Sequence, residues 1–146
     1  MKKLVYQKIY DRLDKLLPGG CEEFCSKDDN YVKFKSDGFM DLNVDVQNWK
    51  EETANGKRIS MAHNFVQNGD LMADPDMEIR IFTKEKAAEA LTFQMDTMGL
   101  YQEVYPEPGK QNTGLKKKLN TFLLQWLVNI ESQGFQAQKR TKKEVS

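Results

Sequence analysis

The chain holds one histidine, two cysteines and four prolines in 146 residues, and none of its apolar runs approaches the length of about 18 residues needed to cross a bilayer. Each shortage removes a class of function. Structural zinc takes four nitrogen or sulfur ligands, and Cys21, Cys25 and His63 supply only three. The cysteines, four apart on one side of a helical turn, read as reduced thiols packed under a helix rather than as a disulfide framework. A Cys-His nucleophile has nothing behind it except the presence of both residue types. There is no glycine-rich phosphate loop and no nucleophile elbow, so dinucleotide and acyl-transfer chemistry are set aside and no cofactor is expected. The basic opening "MKKLVYQKIYDRL" is not an export signal, because Lys8, Asp11 and Arg12 interrupt any apolar core. A cytoplasmic location with no membrane segment is the resulting expectation.

What is present suits a folded domain. Hydrophobic residues make up 39% of the chain and charged ones 30%, with eight Phe, five Tyr and two Trp to fill a core. The zero net charge hides an asymmetry. Residues 110 to 146 carry eight Lys or Arg against Glu131 and Glu144, which leaves the preceding part acidic by six. A wholly basic nucleic-acid binder is disfavoured, whereas a local basic end is not.

Val5, Ile9, Leu13, Leu16 and Leu17 recur at helical spacing over residues 2–17, and Pro18-Gly19-Gly20 stops that helix. "CEEFCSKDDN" reads as an irregular or short helical connection. From Tyr31 the period becomes two. Strands are expected over 31–35, over "MDLNVDVQ" with Met40, Leu42, Val44 and Val46 inward, and over "KRISMAHNFV" after a turn at Asn55-Gly56. Asn68-Gly69-Asp70 marks a reversal, and a strand from about Asp76 follows, with Met77, Ile79 and Ile81 inward. "ALTFQMD" and "LYQEVYP" supply two more. Asn112 or Thr113 caps a long final helix whose stripe runs from Leu115 through Trp126 to Ile130 and ends at Gly134.

The expected fold class is α+β: a mainly antiparallel sheet of about six strands with the N- and C-terminal helices packed on one face. Residues 1–134 form one domain, and 135–146 form a basic tail without a packing pattern. The opposite, polar face would carry Asp41, Asn43, Asp45, Glu78, Arg80, Gln94 and Asp96.

That face and the hairpin over 63–78 hold the candidate binding residues His63, Asn68, Asp70, Asp74, Asp76, Glu78, Arg80 and Tyr101. His63 shares a strand phase with Ile59, Met61 and Phe65, which puts it on the core side or its margin. Asp70, Asp74, Asp76 and Glu78 invite a divalent-cation hydrolase or nuclease reading with His63 as base. The spacing departs from a calcium loop, since Gly69 precedes the acids and Pro75 interrupts them. Pro75-Asp76 and Glu78-Ile79-Arg80 also overlap in one strand, where metal-dependent nucleases spread such elements over two. The leading expectation is a non-enzymatic binding domain with a protein partner. Nucleic-acid contact through Lys116, Lys117, Lys118, Lys139 and Arg140 is the third alternative.

The stretches "MDLNVDV", "ISMAHNFVQNGDLMADPDMEIRIF" and "ALTFQMDTMGLYQEVYPEPG" resemble an uncharacterised domain family found in genes of bacterial phages, plasmids and conjugative elements. The family pattern runs from a histidine-bearing strand through Asn-Gly-Asp and Asp-Pro-acid-Met to a late Gly-x-Tyr-Gln. His63, Asn68, Gly69, Asp70, Asp74, Pro75, Asp76, Met77, Gly99, Tyr101 and Gln102 stand in those places, and the resemblance covers about residues 40–109. It implies an accessory role on a mobile genetic element rather than a known reaction.

Overall fold

A computed structural model describes residues 3–47, 56–107 and 109–138. Helix α1 (Val5–Leu16) starts where Gln7 Oε1 accepts the Leu4 N–H at 3.0 Å, and it ends at Leu17, whose extended backbone suits the residue before a proline. Left-handed Gly19 turns the chain into the short helix α2 (Gly20–Cys25), where Asp14 Oδ1 accepts the Cys21 N–H at 2.8 Å. Burial pushes the Cys25 thiol up to about 11 and the Cys21 thiol above the range of useful thiolate chemistry. Both are packing residues.

Eight strands follow among the described residues. They are β1 (Tyr31–Lys35), β2 (Asp41–Val46), β3 (Lys57–Gln67), β4 (Asp70–Phe82), β5 (Ala87–Ala90), β6 (Thr92–Met95), β7 (Leu100–Glu103) and β8 (Gln136–Ala137), with the long helix α3 (Thr113–Ser132) before the last. The sheet is antiparallel in the order β7-β6-β4-β3-β2-β1-β8, and β5 pairs with β4 beside β6. Leu42, Val44, Val46, Ile59, Met61, Met77, Ile79 and Ile81 are almost fully enclosed against Ile9 and Leu13 of α1 and Leu123 and Ile130 of α3. The alternation of apolar and polar residues therefore does place both helices on one face. No helix among the described residues is long and apolar enough to cross a membrane.

Four expectations are corrected. The strand expected from Asp76 begins at Asp70, directly after a two-residue turn in which Asn68 and Gly69 both take positive φ. The stretch "ALTFQMD" breaks at Leu91 into β5 and β6, because Leu91 N–H bonds the Glu78 carbonyl while Thr92 Oγ1 takes the Glu78 N–H, so consecutive residues are both buried. Asp96 leaves the sheet for a 3-10 turn over Asp96–Met98. Residues 136–137, read as tail, pair with Phe34 and Lys35 at the edge of β1. The Asn55 half of the expected Asn55-Gly56 turn lies outside the described residues.

Candidate functional site

Strand register assembles the site. Lys33 of β1 lies opposite Asn43 of β2, which lies opposite Ala62 of β3, then Asp76 of β4, Gln94 of β6 and Tyr101 of β7. Directly opposed residues share a face, so these six side chains form one row on the surface away from the helices. Within the row Ala62 contributes only a methyl group between Asn43 and Asp76. A groove of about 780 Å³ opens over that low point.

The groove floor is tied together by hydrogen bonds. Tyr31 donates its hydroxyl to Asn43 Oδ1 at 2.5 Å, Asn43 Nδ2 donates to Asn64 Oδ1 at 2.7 Å, and Asn64 Nδ2 reaches the Met72 carbonyl at 3.3 Å. Ser60 Oγ donates to Asp76 Oδ1 at 3.0 Å. Burial raises the Asp76 pKa, the Ser60 bond opposes this, and nearby Glu78 and Asp96 add to it. The side chains forming this floor hold fixed orientations.

The rim is apolar. Opposite Asn64 and Ala62 the β3–β4 register shifts, with Ala62 paired to Asp76 but Asn64 to Ala73, so β4 carries an extra residue there. That bulge turns Leu71 away from the core phase set by Met77 and Ile79 and sets it opposite Val66. Val66 and Leu71 are both 71% exposed, and Phe39 at 48% and Met40 at 39% border the same groove.

The four acidic residues read as a cation site do not converge. Asp70 sits exposed beside the hairpin turn, and Asp74 accepts from Thr97 Oγ1 at 3.0 Å. Asp76 accepts from Ser60, while Glu78 pairs with Arg58 and accepts from Gln47 Nε2 at 3.3 Å. No group of three or more potential metal ligands occurs among the described residues. Asp96 takes the Ala73 N–H and Gln94 Nε2, both at 2.7 Å, and these bonds hold its carboxyl below the usual range.

His63 lies beneath the sheet, and of the four carboxylates Asp74 alone acts on it. Its Nε2 accepts the Trp126 Nε1–H at 2.9 Å, and its ring packs against Trp126 and Phe135. Burial lowers its pKa, while the adjoining backbone of Asp41 and Met40 partly opposes this; Nδ1 is buried without a hydrogen bond of normal geometry. A neutral ring that accepts from an indole fits a packing role.

Arg80 belongs to a second assembly at the sheet edge. Glu89 of β5, which is 9% exposed, is flanked by Arg80 at 3.7 Å and Lys116 at 3.5 Å, with the Tyr105 hydroxyl at 3.1 Å. Lys116 also donates to that hydroxyl at 3.0 Å and lies over the rings of Tyr6 and Tyr105. Lys116 is thus engaged inside the fold while Lys117 and Lys118 face solvent; Lys139 and Arg140 lie outside the described residues.

Sequence reasoning found the acidic and amide members of the polar face but passed over Ser60, Ala62, Val66 and Leu71. The signal for Ser60 and Ala62 was present, since they alternate with Ile59 and Met61. Leu71 carried no such signal, because its exposure depends on the bulge.

The family described as Domain of unknown function (DUF6908) matches residues 5–136, and the chain belongs to that family. No curated protein and no solved structure matches the chain.

Proposed function

We propose that this member of the family is a non-enzymatic binding domain that meets a protein partner through its polar sheet face and the 63–78 hairpin. One observation carries the reading: the exposed Phe39, Met40, Val66 and Leu71, from two separate turns of the sheet, line a single groove together with the polar residues Asn43, Asn64 and Asp76. Clustered apolar side chains around polar groups mark interaction surfaces, whereas scattered ones do not. The second support is that the floor is held by side-chain hydrogen bonds without a converging set of nucleophile, base and metal ligands among the described residues.

The resemblance to domains from phages, plasmids and conjugative elements extends the proposal to an accessory protein of a bacterial mobile element, acting in the cytoplasm as one domain. A photocrosslinking amino acid at position 66 or 71, introduced in the native host, tests the surface. An adduct identified by mass spectrometry should form at these positions and not at Leu4, an exposed apolar residue preceding α1. Equal adducts at Leu4, or none at 66 and 71, overturn the reading.

A further inference from the structure

Resting on that binding reading, we infer that the groove's occupant is a short cationic peptide segment bearing at least one apolar anchor, with Lys or Arg above the row and the anchor between the Phe39–Met40 and Val66–Leu71 borders. Among the described residues the groove lining holds the carboxylates of Asp41, Asp45 and Asp76 and the ammonium of Lys33, and Asp45 is itself engaged in a further interaction. Lys35 lies 3.9 Å from Asp41, with both side chains substantially exposed. Asp76 at the floor has the Ser60 hydroxyl and, among the described residues, no ion-pair partner, and the border is apolar, which complements a segment that carries both positive and apolar side chains.

Geometry favours a cation over the middle of the row. Ala62 leaves room between Asn43 and Asp76, and both of these residues line the same opening. Asp76 is pinned by Ser60 in a partly desolvated position, where a carboxylate gains more from an opposite charge than it would in bulk water. An ammonium or guanidinium seated there regains for Asp76 what burial removes. An acidic or phosphorylated segment would instead set a like charge against Asp76. Nucleic acid is disfavoured on this face for the same reason.

Selection of a displayed library of short random peptides against the full chain tests the inference, followed by fluorescence polarisation with the enriched sequences made synthetically. Enriched peptides should combine Lys or Arg with Leu, Ile, Phe or Trp. Their affinity should fall about tenfold or more in Asp76→Asn and in Leu71→Ser, and should weaken as salt rises. Circular dichroism melting of each variant keeps misfolding separate from lost contact. Peptides that need Leu71 but carry no positive charge would overturn the assigned chemistry while leaving the face as a binding surface. Peptides indifferent to both substitutions would overturn the assigned chemistry and count against the face itself. A groove filled by a second copy of the chain, seen as dimerisation abolished by Leu71→Ser in sedimentation, would also overturn the inference.

Discussion

The indole of Trp126 on α3 donates to Nε2 of His63 on β3 at 2.9 Å, which joins the last helix to the middle of the sheet and fixes the histidine as an acceptor. Protonation would set an N–H against that donor inside a buried site. Because burial holds the folded pKa below the ordinary 6.5, the unfolded chain takes up its proton first as pH falls. Stability from this residue is complete above pH 6.5 and is lost as pH drops below that value. Thermal melts should therefore show a larger decrease between pH 7.5 and 5.5 in the native sequence than in His63→Gln. Equal slopes would show that the ring does not titrate differently on folding.

Asn120→Ala should cost about 1–3 kcal/mol, because it leaves a buried edge-strand amide without an acceptor. Asn120 is 1% exposed, its Oδ1 accepts the Ala90 N–H at 2.8 Å, and its Nδ2 bonds the Lys116 carbonyl at 2.8 Å. Urea denaturation gives the free energy, and hydrogen exchange at Ala90 gives the location. An unchanged exchange rate at that amide would refute the assignment.

Asp76→Asn is expected to stabilise the fold at pH 7. Burial raises the folded pKa of Asp76, so its stability contribution is fully present below the ordinary 3.8 and is lost as pH rises through the folded value. The amide removes that charge and keeps an oxygen for the Ser60 hydroxyl. The melting advantage should be largest at neutral pH and shrink toward pH 3.5, and a lower melting temperature at pH 7 would contradict it.

Leu71→Ser should leave the urea midpoint almost unchanged, within about 0.5 kcal/mol, because the side chain is mostly in solvent and outside the core. A loss several times larger would reassign Leu71 to packing.

Glu89→Ala removes the carboxylate between Arg80 and Lys116. Stranding one partner of a fully buried pair costs about 3–5 kcal/mol, and here the two cationic side chains are 21% and 20% exposed, so a cost below about 3 kcal/mol is expected. Double-mutant cycles with Lys116→Met, read by urea denaturation, separate the coupling from the loss of packing. Additive costs in that cycle would remove Lys116 from the assembly.

Much of this architecture is legible in a two-residue rhythm. Leu42, Val44 and Val46, like Met77, Ile79 and Ile81, alternate with polar neighbours and occupy the core face as the pleat requires. Alternation fails where the register changes. Counting back by two from Met77 puts Leu71 in the core, but the bulge opposite Ala62 and Asn64 sends it to the surface. Leu91 and Thr92 are both buried because β4 is paired first by one short strand and then by another. Two residues are too few to carry a pattern, so β8 was invisible, and Lys116 looks like its neighbours until Glu89 is placed beside it. The candidate site was half legible for the same reason. Its polar members follow the rhythm, and its apolar border follows from the irregularities.

The row from Lys33 to Tyr101 crosses six strands whose residues are scattered through nearly half the chain, yet at about 4.8 Å per strand it spans only about 24 Å. Anything lying along it touches six strands at once. Such a guest would find no purchase on a partly unravelled molecule, so attachment and integrity of the whole sheet become a single equilibrium, and saturating guest should raise the unfolding temperature.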